Sequence, residues 1–303
     1  MRVRFETEIT VPDNGDHAPE LLARTCGLSK SRVKDAMQKG AVWRIRGARK
    51  PERLRRATAP LSRGDRLQFF YDSEILDRVP LLAELVADCR RYSLWHKPPG
   101  LLVEGSRYGD HATLLRQVES HFTPPRRVWL VHRLDLEASG LIVIAHTPQA
   151  AARLSALFRE RVVDKRYLIE IAGVPGPPGA TGRLDFALDG RAAVTDYRVV
   201  DTDAAGRFSR VEVSMRSGRY HQIRRHFALA GHPVLGDPKY GRGAPHPAGM
   251  RLAATSIAFE DPWTHAEARC SIDERVRTLW EWPDRDEISA PPPPERPASR
   301  RTR

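Results

Sequence analysis

Hydrophobic residues in the middle of the chain form two short runs of the length and composition typical of buried β-strands. One run ends at Val131, and the other, 141–145, is rich in β-branched residues. Ser139 and Gly140 are the predicted turn between the two runs. Asp135 then lies at the mouth of that turn, where burial beside apolar walls requires a cation or hydrogen bonds. An Asp next to a glycine turn can also simply close the turn, so this segment alone leaves both interpretations open.

A second segment with strand spacing contains a tyrosine. Tyr167, Ile169 and Ile171 alternate along one face of a predicted strand that ends at Gly173. Taken alone, Tyr167 is either a core residue of that strand or a residue aimed into a site.

A third segment, after Gly218, has helical spacing. Ile223, Phe227 and Ala230 form the apolar side of this predicted helix, which ends at Gly231. The polar residues around its first turns, at the helix end that attracts anions, are His221, Arg224 and Arg225.

These segments resemble the RluA family of pseudouridine synthases in their order and rough spacing. Residues 131–145 match the signature His-Arg-Leu-Asp-x-x-Thr-Ser-Gly, and 165–173 match the tyrosine-containing strand. Residues 217–241 match the family's Gly-Arg-Thr-His-Gln-Ile-Arg, Gly-His-Pro and Gly-Asp-x-x-Tyr-Gly run. His96–Val103 is similar to the Lys-Pro-x-Gly strand and turn that opens the catalytic domain, so the likeness covers roughly residues 92 to 275.

Two positions depart from the family pattern. Ala138 stands where the family has the Thr before Ser-Gly, and Tyr220 stands where it has the Thr before His-Gln. Neither position is the nucleophile, so we expect altered support or substrate contacts and retained activity.

The resemblance implies an isomerase that needs no cofactor and no metal, because breaking the bond from the sugar to N1 and rejoining the sugar at C5 involves no redox step. It assigns Asp135 as the nucleophile, which attacks either the anomeric carbon or the uracil ring. Arg224 is expected to hold this carboxylate ionised. Tyr167 is expected to stack on the target base and is a candidate for handling a proton.

An enzyme that acts on a base inside folded RNA must take that base out of the stack. By resemblance, Arg133 fills the space that the base vacates. The other RNA-contacting residues predicted from the motifs are His132, Arg219, His221 and Gln222. Ile223 either packs against the uracil or belongs to the ordinary core.

The N-terminal part is strongly basic. The chain has 50 Lys and Arg against 38 Asp and Glu, a net charge of +12, which favours a nucleic-acid partner. Residues 44–66 contain nine basic residues and only Glu52 and Asp65 against them, which predicts a positive surface without salt bridges. High arginine content from GC-rich coding is the alternative origin of this charge.

The predicted elements of this part are two helices followed by two strands. The second helix is capped by Ser29 or Ser31 and ends at Gly40, and the strands cover 41–45 and 67–71. This order resembles the small alpha-L RNA-binding domain over about residues 15 to 75. The likeness implies that the residues facing RNA are Ser31, Arg32 and Lys34.

We therefore predict an α+β protein: a pseudouridine synthase fold with a mixed, largely antiparallel sheet and flanking helices, preceded by a small α/β RNA-binding domain. The predicted bounds are 1–75 for the alpha-L domain, 76–91 for a connector, 92–287 for the catalytic domain and 288–303 for a disordered basic, Pro-rich tail. In the connector, Leu81, Leu82, Leu85 and Val86 are expected to pack on a domain.

The remaining composition points to the cytoplasm. The three cysteines, Cys26, Cys89 and Cys270, are isolated, which disfavours disulfides and a zinc site, and neither a membrane-spanning run nor a signal peptide is recognisable. We expect a monomer whose partner is ribosomal RNA of the large subunit or transfer RNA. One alternative is a non-catalytic RNA-binding or ribosome-assembly protein that retains the fold. The other is a metal-dependent hydrolase that uses Asp135, but the sequence has no second and third carboxylate at a workable spacing for its metal ion.

Overall fold

The structure is a computed structural model that describes residues 2–215, 218–241 and 246–280. It divides into two compact units, one formed by residues up to 83 together with 101–128, the other by 84–100 and the chain from 129 onward. The bounds of these units differ from the predicted domain bounds, because residues 101–128 belong to the same unit as the N-terminal residues. The functional domain bounds stay a prediction. The predicted tail, 288–303, lies outside the described residues.

The first unit contains a four-stranded antiparallel sheet in the order β1-β4-β2-β3 and the helices that accompany it. Its strands are β1 (Arg4–Thr10), β2 (Val42–Ile45), β3 (Glu52–Arg53) and β4 (Arg66–Asp72), and its helices are α1 (Ala18–Cys26), α2 (Lys30–Gln38), α3 (Ser73–Leu76) and α4 (Leu114–His121). Helix α2 begins after Ser29, whose hydroxyl accepts the N–H of Arg32 at 3.2 Å. The predicted two helices and two strands are confirmed, with Ser29 as the cap; the RNA-binding role of this unit stays a prediction.

The expectation of a positive surface without salt bridges over 44–66 was wrong. Arg44 pairs with Glu52 at 2.5 Å, and Arg46 lies 3.5 Å from Asp65. Three more arginines find carboxylates far away in sequence: Arg53 and Arg55 pair with Asp110, and Arg66 pairs with Glu8. The local charge count missed these partners because folding brings them in from other segments. Four exposed basic residues of this segment have no such partner among the residues that the structure describes: Arg49, Lys50, Arg56 and Arg63.

The second unit is built on a larger mixed sheet in the order β10-β11-β12-β9-β13-β8-β6-β5, with β14 on β13 and β7 on β8. Its strands are β5 (Glu84–Asp88), β6 (Tyr92–Lys97), β7 (Trp129–Leu130), β8 (Ser139–Ala145), β9 (Asp164–Ala172), β10 (Thr181–Leu184), β11 (Thr195–Thr202), β12 (Phe208–Ser214), β13 (Leu252–Glu260) and β14 (Glu267–Ser271), and its helices are α5 (Pro148–Glu160), α6 (Gln222–Leu229) and α7 (Asp273–Leu279). Among these described strands, only β8 and β13 pair in parallel. The predicted α+β class with a mixed, largely antiparallel sheet is confirmed.

Two local predictions in this unit need correction. Ser139 and Gly140 are not a turn but the first residues of β8, and they pair with Ala253 and Ala254 of β13. Gly140 has φ +113°, and a Cβ there would lie 2.2 Å from the carbonyl oxygen of Ala254, so a glycine is required where the strands meet. The chain reverses instead within 131–138, which moves Asp135 into the middle of a loop.

The predicted connector 76–91 is in part a strand. Its residues 84–88 form β5, which pairs with β6, and β6 is the strand predicted before the Lys-Pro-x-Gly turn. Leu82 is 82% exposed and Leu81 is 48% exposed, so the expected packing of these two residues was wrong. No helix in the described part of the chain is both long and apolar enough to cross a membrane.

Candidate active site

The loop that carries Asp135 joins β7 to β8 and is fastened at both ends. The backbone N–H of Val143 donates to His132 Nε2 at 2.9 Å, and the His132 ring stacks on Phe158. Lys97 Nζ donates to the carbonyl of Leu136 at 3.0 Å. Loss of hydration around its ring lowers the pKa of His132 to about 3, so the ring is neutral and can accept this hydrogen bond.

Asp135 faces a buried arginine across the loop. Arg224 Nη1, on the first turn of α6, donates to Asp135 Oδ2 at 3.1 Å. The side chain of Arg224 is 1% exposed, whereas that of Asp135 is 27% exposed. The predicted arginine partner of Asp135 is therefore found in place, with the carboxylate on the open side of the pair.

Arg224 is itself held from behind by Asp237. Its Nε and Nη2 donate to the two carboxylate oxygens of Asp237 at 2.7 and 2.8 Å, a bidentate pair between buried side chains. Asp237 Oδ1 also accepts the backbone N–H groups of Lys239 and Tyr240. Although burial opposes ionisation of both groups, these contacts leave the pKa of Arg224 raised and that of Asp237 lowered, so both are charged.

Three acceptors compete for Nη1 of Arg224. Besides Asp135, Glu137 Oε2 lies 3.3 Å away and His221 Nε2 lies 3.2 Å away. Burial lowers the pKa of His221 despite the nearby Asp135, and the neutral ring fits a tautomer that donates from Nδ1 to the Tyr240 hydroxyl, 3.2 Å away. Since Nη1 has only two N–H groups, its bond to Asp135 is shared and weaker than the pair with Asp237.

Tyr167 projects from β9 into the same cleft. It belongs to a hydrophobic cluster with Ile169 and Ile171, which confirms the predicted face of this strand. Burial, and then the negative charge of Asp135, raise the pKa of Tyr167, so its hydroxyl stays protonated at neutral pH. The residues that line the cleft are Arg133, Leu134, Asp135, Ala138, Tyr167, Met215, Gly218, Arg219, His221, Gln222, Ile223, Arg224 and Leu252.

The structure places the predicted RNA-contacting residues of this unit in different surroundings. Arg133 is exposed at the cleft, and Arg219 lines it. Gln222 is 2% exposed, and its side chain bonds the carbonyl of Val194 and the Thr195 hydroxyl, which fixes the start of α6. His132 is engaged with Val143 and Phe158, as described above. RNA contacts of these residues and of His221 stay predictions.

In the first unit, Ser31, Arg32 and Lys34 are exposed on α2. Arg32 Nε donates to the hydroxyl of Tyr71 at 2.7 Å, so its guanidinium is partly occupied. Their contact with RNA stays a prediction.

Sequence reasoning missed the parts that Asp237 and Lys97 play at the site. Asp237 lies in the matched Gly-Asp-x-x-Tyr-Gly motif and Lys97 in the matched Lys-Pro-x-Gly motif, but no role was assigned to either residue from the sequence. Burial lowers the pKa of Lys97 to about 8, and the charges of Asp135 and Glu137 oppose part of that decrease. The signal that could have found them is a charged residue in a segment that is otherwise apolar, as for Lys97, or rich in Gly and Pro, as for Asp237. Such a residue is rarely buried unless it has a partner.

The chain is similar to known proteins over much of the segment in which the sequence motifs lie. The sequence profile of the family described as RNA pseudouridylate synthase matches residues 91–229. The dual-specificity RNA pseudouridine synthase RluA of Escherichia coli K12 is 35% identical over 161 residues, which are 48% of this chain and 71% of that protein. The chain belongs to the RluA family of RNA pseudouridine synthases. Enzymes of this family are isomerases that act on uridines in RNA, so the predicted family and enzyme class are confirmed.

Two further relatives of this RluA-family chain fit the assignment. The ribosomal large subunit pseudouridine synthase D of Nitrosomonas europaea is 33% identical over 64% of this chain and 60% of its own length. The chain thus spans less than two thirds of that relative. The solved structure of human RNA pseudouridylate synthase domain containing 1 superposes with a TM-score of 0.52 at 22% identity, over 68% of this chain and 97% of its own, which shows the shared fold.

The described residues of the site include carboxylates, but these are not arranged to hold a metal ion. Among the residues that the structure describes, no group of three or more His, Cys, Asp or Glu side chains is placed to hold a metal. Asp135, Glu137 and Asp237 instead converge on the single guanidinium of Arg224.

Proposed function

We propose that this RluA-family chain converts uridine to pseudouridine in folded RNA, with Asp135 as the nucleophile. The observation that carries the proposal is the pair of Asp135 with the buried Arg224 at 3.1 Å, in a cleft also lined by Tyr167. Arg224 orients the carboxylate by donating to its Oδ2, and the open side of Asp135 leaves an oxygen accessible to a substrate.

The reaction is a rearrangement within one nucleoside. The bond from C1′ to N1 breaks, the uracil turns within the cleft, and a bond from C1′ to C5 forms. N1 gains a proton, and the hydrogen on C5 leaves to solvent, so atoms and electrons balance without an oxidant, a reductant or a cofactor. Asp135 attacks either C1′ or the ring, and in both cases it is released at the end.

Arg224 is bound more firmly by Asp237 than by Asp135, and this difference suits a nucleophile that must leave its ion pair during the reaction. Asp237 takes Nε and Nη2, which fixes the guanidinium in the wall of the cleft. Asp135 shares Nη1 with Glu137 and His221, and both of them can take over that N–H when Asp135 turns to the substrate. Arg224 therefore stays satisfied while Asp135 reacts.

Tyr167 contributes as a neutral phenol. Its raised pKa means that the hydroxyl can donate a proton or a hydrogen bond, and its ring offers a stacking surface for the uracil. A resting phenolate base is not available there, because both burial and the charge of Asp135 disfavour it.

Access to a base in structured RNA requires flipping, which costs a few kcal/mol. Arg133 lies two residues before Asp135 in the same loop, and its side chain is exposed. It is therefore suited to fill the space that the flipped base leaves in the RNA stack. We propose large-subunit ribosomal RNA as the substrate class, and transfer RNA as the second class. The relatives' names include both a ribosomal large subunit enzyme and a dual-specificity enzyme.

The proposal also includes the oligomeric state of the enzyme, its location and its further RNA contacts. The enzyme works as a monomer in the cytoplasm, and the first unit supplies RNA contacts through Ser31, Arg32 and Lys34. Chelators leave its rate unchanged, because no step uses a metal ion.

The test is a transcriptome-wide pseudouridine map by carbodiimide-induced reverse-transcription stops. A strain with the unchanged gene is compared with one that carries only Asp135→Asn. We expect one or a few uridine sites to lose their signal in the mutant strain, and these sites identify the RNA. Full retention of every pseudouridine site would contradict the proposed activity.

A further inference from the structure

The rim of the cleft carries an exposed aromatic side chain that the proposed mechanism does not use. Tyr220 is 64% exposed, although its neighbours in sequence, Arg219 and His221, both line the cleft. The RluA signature has a threonine at this position, so the ring is a feature of this chain. A large ring left in water beside a binding cleft is a candidate contact for a ligand.

The ring of Tyr220 is held in place by the site beneath it. It stacks on the imidazole of His221, with ring centroids 3.7 Å apart and planes inclined by 21°. His221 in turn contacts the Tyr240 hydroxyl and the guanidinium of Arg224, each at 3.2 Å. A further ring that stacks on Tyr220 therefore meets a surface that is already ordered, which lowers the entropic cost of binding.

A cation accompanies this ring. Lys239 Nζ lies 5.6 Å from the centroid of Tyr220 and 5.5 Å from that of Tyr240. Its backbone is fixed by the hydrogen bond to Asp237, and its side chain is exposed. Within the described residues, no carboxylate forms an ion pair with Lys239, so its charge is available to an anion from solution.

An aromatic face with a neighbouring ammonium group matches one nucleotide of a single strand, which offers a flat base and a phosphate. A stable protein interface uses about 20–30 residues on each side, whereas this patch consists of two side chains. A flipped uridine in the cleft brings the adjoining nucleotides to this rim, since they are joined to it by the RNA backbone.

We propose that Tyr220 and Lys239 form a subsite for a nucleotide next to the target uridine: Tyr220 stacks on its base and Lys239 binds its phosphate. This inference rests on the proposed RNA function and deepens it. The subsite makes RNA recognition depend on an unstacked base beside the target, and it gives the departure at Tyr220 a role in substrate contact.

The subsite is tested first by binding, independently of catalysis. The probe is a short single-stranded oligouridylate that carries one 2-aminopurine, whose fluorescence falls when its base stacks. Wild-type protein and Tyr220→Phe should quench it, and Tyr220→Ala should lose the quenching and raise the Kd about 10-fold, the size of one base stacking contact. Lys239→Ala should lower the slope of log Kd against log salt by about 0.7, as for one phosphate contact.

Leu229→Ala is the matched control, because Leu229 is 61% exposed at the end of the nearby helix α6 and does not line the cleft. It should bind the probe as the wild type does. Absence of quenching by the wild type, or equal quenching by wild type and Tyr220→Ala, overturns the subsite.

A second measurement separates this proposal from the proposed function. Tritium release from C5-labelled uridine is followed on unmodified transcripts of the large-subunit ribosomal RNA and of transfer RNAs. Tyr220→Ala should raise KM about 10-fold and leave kcat within about twofold, while Tyr220→Phe should match the wild type. If the wild type releases no tritium, the proposed function fails, and the quenching result still decides the subsite; a wild-type KM for Tyr220→Ala overturns the subsite alone.

Discussion

Asp237 holds Arg224 through two parallel hydrogen bonds of 2.7 and 2.8 Å, at a place where neither side chain reaches solvent. This pair fixes the guanidinium that faces Asp135. The geometry of the proposed nucleophile therefore depends on a carboxylate that lies outside the lining of the cleft, and we propose that Asp237 is a positioning residue.

Asp237→Asn should impair both stability and catalysis, because it removes the charge that balances the buried Arg224. We expect a loss of about 3 kcal/mol in the free energy of unfolding, and a decrease of about 10²-fold in kcat with little change in KM. Denaturant unfolding and tritium release measure the two effects.

The control is Asp189→Asn. Asp189 also forms a bidentate pair, with Arg225 on the same helix, at 2.8 and 3.0 Å, but it is 70% exposed. We expect no measurable loss of stability or rate. Equal effects of the two substitutions would show that burial of the Asp237 pair does not matter.

Tyr167→Phe keeps the ring and removes only the hydroxyl. If the neutral phenol supplies a proton or a hydrogen bond during the rearrangement, kcat falls by about 10²-fold or more while KM is unchanged. Tyr197→Phe, in the same hydrophobic cluster but outside the lining of the cleft, should leave kcat as it is. A wild-type kcat for Tyr167→Phe would restrict Tyr167 to stacking. Because its pKa is raised, wild-type activity should show no alkaline decline from this phenol up to about pH 10.

Lys97 should make stability depend on pH in the alkaline range. Its pKa is lowered from 10.5 to about 8 by burial, so above pH 8 the unfolded chain binds more protons than the folded one. The penalty for burying the charge is therefore complete below pH 8 and disappears as the pH rises towards 10.5. Relative to Lys97→Met, the wild type should gain about 3 kcal/mol of unfolding free energy between pH 7 and pH 10.5.

Denaturant unfolding of both proteins across this range gives that difference directly. A constant difference between wild type and Lys97→Met would contradict the lowered pKa. The variant should also loosen the Asp135 loop, since it loses the hydrogen bond to the Leu136 carbonyl.

The three residues proposed for catalysis could be named from the sequence because each of them lies in a short motif with its own local structure. Asp135, Tyr167 and Arg224 were named from three such motifs, and the fold brings all three to one cleft. The strand that holds Tyr167 and the helix that holds Arg224 followed from hydrophobic spacing. Their convergence came from the family resemblance, since periodicity alone does not say which elements meet.

What the sequence did not predict depends on contacts between distant segments. Asp110 neutralises Arg53 and Arg55 from more than fifty residues away, so the local charge count over 44–66 overstated the free charge. Likewise, the Ser139-Gly140 dipeptide is typical of a turn, which is why a turn was predicted there. In the structure, Gly140 is required because the parallel pairing of β8 with β13 brings its backbone close to that of Ala254. Local residue preferences contain neither kind of information.

Asp135→Asn tests the central claim most directly. The amide keeps the size of the side chain and can still accept the hydrogen bond from Arg224, but it is a poor nucleophile. Tritium release from C5-labelled uridine in the transcript identified by the pseudouridine map should fall by about 10³-fold or more, with the Kd for that RNA within about twofold of the wild type. Release at the wild-type rate by the Asp135→Asn protein would contradict the assignment of Asp135 as the nucleophile.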